Sequence, residues 1–563
     1  MNEALKRIHM QVMWNRLIAV VEEQAQALLH TAFGSIAREA GDLSAGVYDT
    51  RGNMLAQAVT GTPGHVNTMA VAVRHFFERF PLDSMHPGDV FVTNDPWMGT
   101  GHLFDFVTVT PVFLGERPVA LFASTCHTVD VGGVGFNAEA RSVYEEGICI
   151  PHLRLRHSGA LDEAILAILM ANSRNPVEIR GDLLSLVACN DVGAARLREM
   201  MREFGLEAID DLARHILDTS RAATREAIRA LPRGEYRAAT TLDGYESPIE
   251  LRVLMTVADG GITVAFAGSS PLSARGINSP KCYTDAYSVF GLKCIIAPSI
   301  PNNAGSLEPF RVRAEEGSCV HPLRPAPVTA RHVIGQMLPD LMFGCLAQAL
   351  AGRVPAESAG SIWVLPLASE GGAGTQFNVL NVGLGGTGAR PGKDGLSTTA
   401  FPSGVGVVPV EITENESPLV FWSKEYLPDS GGAGEYRGGL GQRIEIGNSE
   451  RAPFTVAAAT FDRLRNPAAG RGGGRAGRAG AVRLASGRVL ATKSVHTIPP
   501  GDRLVLELPG GGGMGDPAKR ERRRIEGDLA AGLVSAKGVA RDYGQDVAPA
   551  EADTTSGSPP SRG

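Results

Sequence analysis

Apolar residues in the first forty positions recur at three- and four-residue intervals. Ile8, Val12, Met13, Leu17, Val20, Val21, Leu28, Leu29, Ala32, Phe33 and Ile36 form one stripe uninterrupted by proline, which predicts one long core-packing helix. The period then drops toward two. Residues 44–49 and 54–58, joined by Thr50-Arg51-Gly52-Asn53, predict a β-hairpin. A helix is expected over 66–80 and a short strand over 89–92, ended by the Asn94-Asp95-Pro96 turn signal. Two runs rich in Val, Phe and Thr, 106–113 and 119–126, predict an antiparallel hairpin turning at Glu116. Helical periodicity returns over 161–171 and 181–230.

From 233 onward the pattern is mainly strand and glycine loop, with a hairpin over 252–258 and 262–266 and a helical stretch over 329–351. Beyond 371 short strands alternate with glycine-rich turns as far as 517, followed by a charged helix over 520–531. No internal repeat is present. The fold class expected is mixed α+β: a large multi-sheet body with an N-terminal long helix and a Gly-rich, strand-dominated C-terminal half.

Composition sharpens this picture at one point. Glycine makes up 68 of 563 residues, well above the usual ~7%, and no Gly-x-y period runs through the chain, so many strands and tight turns are expected rather than a collagen-like helix. The net charge of −6 argues against a nucleic-acid partner, which calls for a strongly basic face. Seven cysteines, odd in number and without a C-x-x-C, suggest neither a disulfide framework nor a structural zinc site, and fit a reducing compartment. No secretory leader is visible, and no uncharged apolar run reaches the ~18 residues of a membrane span. The expected location is cytoplasmic, with no membrane partner.

Candidate chemistry is concentrated between Asn94 and Gly133. A turn at Glu116 sets Asp105 opposite His127 on paired strands, and His102 lies three residues before Asp105 in a glycine-rich lead-in. On spacing alone the commoner reading is a buried Asp–His hydrogen bond; the alternative is a divalent metal held through N and O atoms. Cys126, beside His127, points to the opposite face of the strand and is not paired with it as a nucleophile. Three further motifs carry no chemistry. Gly383-Leu-Gly385-Gly-Thr-Gly388 matches G-x-G-x-x-G, but a loop follows where a dinucleotide site needs a helix. Gly510 to Gly513 has no accompanying G-x-x-x-x-G-K-[ST], so no P-loop ATP site is recognisable. Arg471, Arg475 and Arg478 form one short arginine–glycine tract without interleaved aromatics, expected to be a surface loop.

Several segments together resemble the hydantoinase B/oxoprolinase family: Arg38-Glu39 to Ser44, Tyr48-Asp49 to Gly52, Gly64-His65 to Met69, Asn94 to Asp105, His127 to Gly133, Glu146 to Pro151, Phe401 to Gly404, Pro428 to Gly441 and Gly510 to Pro517. The resemblance implies a divalent metal (zinc, manganese or iron) on Asp42, His102, Asp105 and His127. Asp130 or Glu146 would be a general base, or alternatively would orient neighbouring groups. It also implies a hetero-oligomer with a hydantoinase A-type subunit that carries the ATPase, of the sugar-kinase/actin type. The implied reaction opens a cyclic amide such as hydantoin, N-methylhydantoin or 5-oxoproline: the A-type partner phosphorylates the amide, and metal-bound hydroxide attacks it in the B-type chain. The related alternative is a subunit of an acetone/acetophenone-type carboxylase. The chain departs from the family pattern at Thr128, where a second histidine is common, at His152, a candidate polar substitute near the site, and at Met514, often tyrosine. The regions expected are 1–232, an α/β region carrying the metal; 233–370, mixed α/β; 371–544, β-rich with Gly loops; and 545–563, a disordered tail.

Overall fold

The computed structural model describes residues 3–544, apart from 361, 373, 491 and 492. The expected disordered tail over 545–563 lies outside the described residues. Seven strands form the first sheet: Leu43–Tyr48 (β1), Met54–Gln57 (β2), Val90–Thr93 (β3), Asp105–Leu114 (β4), Arg117–His127 (β5), Leu153–His157 (β6) and Ala160–Leu161 (β7), in the order β2-β1-β5-β4-β3-β6-β7. All its pairings are antiparallel, and β4 meets β5 with Asp105 opposite His127. Both faces are covered. Ala120 and Phe122 pack with Leu17, Val20 and Leu197 from the helices Glu3–Thr31 and Pro176–Glu203. Leu121 and Ala123 pack with Met69, Val73 and Phe76 of the helix Pro63–Arg79. Burial on both sides explains why these strands read as continuous apolar runs rather than as an alternation.

The first helix is shorter than its stripe. It ends at Thr31, and a separate turn of helix follows at Ser35–Arg38. The break is local chemistry: Asp182 Oδ1 accepts the backbone N–H groups of Phe33 at 2.8 Å and Gly34 at 3.0 Å, which leaves Gly34 extended. At the other end Leu5, Ile8 and Val12 are exposed, so only the later part of the stripe faces the core. The helical stretch expected over 329–351 is two pieces, His332–Gly335 and Leu338–Ala349. The helix Lys281–Ile296 replaces part of the expected strand-and-loop middle region. Tyr283, Tyr287 and Leu292 are buried there among many apolar neighbours, and burial on most sides erases the three-to-four periodicity that marks a helix.

The remaining strands make three four-stranded sheets, one between residues 234 and 313 and two between 363 and 507. The glycine-rich segments between these strands are not chiefly turns. None of Gly510 to Gly513 has positive φ. Their N–H groups go in succession to the carbonyls of Arg478, Gly439, Glu357 and Arg475. Residues 510 and 513 thus return to the same neighbouring segment three positions on, the period of an extended three-residue helix. Gly439 in turn donates to Thr387 O at 2.8 Å, and Gly432 to Gly511 O at 2.9 Å. Extended segments therefore lie side by side, and glycine is required for their close approach. A Cβ on Gly511 would sit 1.9 Å from Thr387 O, and one on Gly438 1.9 Å from Gly511 O.

This packing yields a contrast between two substitutions. Gly511→Ala is expected to destabilise the protein by about 3 kcal/mol or more, because backbone on both sides has to move. Gly527→Ala, inside the helix Arg522–Ala530 with nothing within 4 Å of the added methyl, is expected to stabilise by ~0.5–1 kcal/mol. Denaturant midpoints of the two variants check both signs.

Candidate metal centre

The loop that leads into β4 is held by Asn94. Its Nδ2 donates to Leu103 O at 2.7 Å and Ile148 O at 3.0 Å, and its Oδ1 accepts Ile150 N–H at 2.6 Å. Gly101 takes φ +101, and a Cβ there would fall 2.6 Å from the Arg331 side chain. The loop thereby brings His102 and Thr100 onto the first residue of the strand.

Asp105 is the hub. Its Oδ2 accepts from Thr100 Oγ1 at 2.7 Å and Arg331 Nη2 at 2.7 Å, and lies 2.8 Å from His65 Nε2. Its Oδ1 lies 3.1 Å from His127 Nδ1 and 2.8 Å from His102 Nε2. Burial pushes the Asp105 carboxyl up, but His65 and Arg331 outweigh it and hold the group well below the usual carboxylate range. Burial, reinforced by Arg331, pushes His102 down to about 3, so its imidazole is neutral at physiological pH.

The His102 ring settles what Oδ1 faces. His102 Nδ1 lies 3.0 Å from Thr329 O, a carbonyl that only accepts, so Nδ1 carries the proton. His102 Nε2 is then a lone pair, 2.8 Å from a carboxylate oxygen and without a hydrogen-bond partner. Two acceptors at that separation repel unless a cation lies with them. His127 Nε2 is also buried and unpaired. Among the described residues, His102, Asp105 and His127 form a buried group whose ligand atoms all lie within 4.8 Å of one another. Imidazole nitrogen with carboxylate oxygen suits a divalent transition metal, so these side chains fit the expected ion.

His102 and His127 of the triad open into a cavity of about 50 Å³ that is also lined by Asp42, His65, Phe136, Tyr283, Arg331 and His332. Its far wall is apolar: Ile362, Val364, Leu380, Val382 and Val405, from the C-terminal half. A larger cleft of about 690 Å³ lies elsewhere, lined by Asn67, Ala70, Arg74 and Cys282, and contains none of the triad.

The hydantoinase B/oxoprolinase family model matches residues 6–517. The chain belongs to that family. The B component of a putative D-/L-hydantoinase of Pseudomonas sp. (strain NS671) is 27% identical over 572 residues, 97% of this chain and 96% of that one. The crystal structure of the ATP-dependent caprolactamase from Pseudomonas jessenii has a TM-score of 0.87 at 24% identity, covering 96% of each chain. Nucleotide-free acetone carboxylase has a TM-score of 0.84 at 21% identity, covering 95% of this chain and 79% of that one.

Within this hydantoinase B/oxoprolinase chain the expected site residues separate. Asp42 lines the cavity but stands outside the triad; its Oδ1 lies 3.3 Å from His65 Nδ1, and both atoms lack hydrogen-bond partners. Asp130 is buried away from the cavity lining, in an ion pair with Arg174, and also accepts from Ser173 Oγ and Gly132 N–H. Glu146 is fully buried and likewise off the lining; its Oε1 accepts Val328 N–H at 2.6 Å and Thr329 N–H at 2.8 Å. His152 packs edge-on against Phe76 rather than facing the cavity. Sequence reasoning assigns no role to His65, Arg331 or His332. His65 stands in the likeness segment Gly64 to Met69, and that is its only signal.

Burial pushes the Glu146 carboxyl from 4.5 up to about 7, against the hydrogen bonds from Thr329 and Val328. The folded state therefore keeps this proton to higher pH than the unfolded chain. Its contribution to stability is fully present below pH 4.5 and is lost as pH rises through about 7. Relative to Glu146→Gln, which does not titrate, the wild type is expected to lose on the order of 3 kcal/mol across that window, read from denaturation curves at stepped pH.

Proposed function

We propose that this chain is the metal-bearing B-type component of an ATP-dependent enzyme that opens cyclic amides such as hydantoin, N-methylhydantoin or 5-oxoproline. The observation that carries this reading is the buried His102, Asp105 and His127 group, in a chain of the hydantoinase B/oxoprolinase family. Asp42, on the same cavity wall, completes the proposed ligand set. These residues would hold a divalent ion, which would supply Lewis-acid polarisation of an amide carbonyl and acidification of water.

The chain's own residues prepare that chemistry. Thr329 O fixes the His102 tautomer so that Nε2 faces the site. Arg331 and Thr100 hold the Asp105 carboxylate in one orientation. The apolar wall of Ile362, Leu380 and Val405 keeps bulk water out, which strengthens every charge interaction inside. His332, whose Nε2 is buried without a partner, lines the cavity; burial and Arg331 hold it well below its ordinary pKa, and so neutral. An amide is a poor electrophile, and phosphorylation by an A-type ATPase partner supplies the activation. The relatives named as a hydantoinase component and an ATP-dependent caprolactamase support this assignment.

Elemental analysis of the purified protein is expected to give about one divalent ion per chain, lost in Asp105→Ala and His127→Ala. With an A-type partner present, ring opening is expected to require ATP and to fall by at least ~10²-fold in His127→Ala. ATP-independent turnover would overturn the reading. Bicarbonate-dependent ATP use with a ketone would favour a carboxylase component instead, the activity named for the acetone carboxylase neighbour.

A further inference from the structure

Glu146 stands outside the cavity, yet it reaches the metal triad by two short paths. Both its contacts are with one stretch of backbone: Oε1 accepts the N–H groups of Val328 and Thr329. The carbonyl of that same Thr329 accepts from His102 Nδ1 at 3.0 Å. Two residues on, Arg331 donates from Nη2 to Asp105 Oδ2 and from Nε to Thr100 O, each at 2.7 Å. Residues 328–331 therefore set the tautomer of one proposed ligand and the orientation of another. The stretch has no strand or helix of its own to fix it.

We infer that Glu146 is the positioning residue of the metal centre, acting through residues 328–331 on His102 and Asp105 together. This rests on the metal-bearing reading above. Three features support the role. The carboxylate is fully buried, its Oε2 has no partner, and Gly276 leaves room for it, since a Cβ there would come within 3.1 Å of Oε1. A buried acceptor that receives two adjacent N–H groups fixes the two peptide units immediately before the Thr329 carbonyl, and the unit that carries this carbonyl is tied in turn by Ala330 N–H to Gly276 O at 2.6 Å. Glu146 is off the cavity lining, so this role is exerted through the 328–331 backbone.

The test is divalent-metal affinity of the full chain, measured with the metal alone by competition against a chromogenic chelator. Glu146→Gln retains an acceptor at Oε1 and is expected to bind within about threefold of wild type, whereas Glu146→Ala is expected to bind ~10–100-fold more weakly. Glu146→Asp, which keeps the charge but draws the carboxylate back by one methylene, is expected to fall on the weak side and decides the matter if the alanine variant does not fold. Wild-type affinity in both Glu146→Ala and Glu146→Asp overturns the inference, as does weak binding by a folded Glu146→Gln that matches Glu146→Ala. A wild-type protein that binds no metal at all would instead sink the proposed function, so the two failures are distinguishable.

Discussion

Everything at the centre of this molecule depends on one buried carboxylate. Asp105 is 1% exposed and is met by an imidazole from the helix Pro63–Arg79, a hydroxyl from the preceding loop, a guanidinium from beyond the middle sheet and an imidazole from the adjacent strand. An ionised carboxylate is removed from water only where such partners stand ready, because each ion otherwise loses several kcal/mol of hydration. The partners come from segments more than 200 residues apart, as Arg331 to Asp105 shows. The same interaction that prepares a ligand therefore also docks the first sheet against the middle region. Arg331 is itself stacked over Tyr283, with 4.2 Å from its guanidinium carbon to the ring centroid, and that ring fills space left by Gly64 and Gly335.

The part of the site legible in the sequence is the part that local geometry dictates. The Asp105–His127 pairing was legible from the hairpin, although the turn itself pairs Leu114 with Arg117 and a one-residue shift between Val112 and Phe113 is what brings Asp105 opposite His127. His102 followed because only Leu103 and Phe104 separate it from Asp105, which keeps it near the start of the strand. His65 and Arg331 have no such local constraint: each reaches Asp105 through the packing of helices onto sheets, and no spacing along the chain encodes that. Asp130 and Glu146 illustrate the converse. Acidic residues close to the triad in sequence are natural candidates for catalysis, yet both are off the cavity lining and have partners the spacing does not encode, Arg174 for one and the 328–329 backbone for the other.

In the fold, the same division holds. Strands and amphipathic helices with one buried face were legible, and the Lys281–Ile296 helix, buried on most sides, was not. The end of the first helix was invisible for another reason: Asp182, which captures the N–H groups of Phe33 and Gly34 just past its last residue, lies about 150 residues away. Glycine was read as a marker of turns, where positive φ is the requirement. In the interlocked segments the requirement is distance, and composition alone cannot tell the two apart.

Those segments have a consequence for how this protein is able to vary. An ordinary core accommodates change by exchanging one side chain for another of similar volume. Where backbone lies directly on backbone there is no side chain to exchange, and the smallest residue already fills the space. Drift in the C-terminal half is thus confined to strand faces and outer loops, while the glycine lattice between them behaves as a fixed length gauge: it admits neither a methyl group nor an inserted residue, because either would shift every neighbouring segment at once.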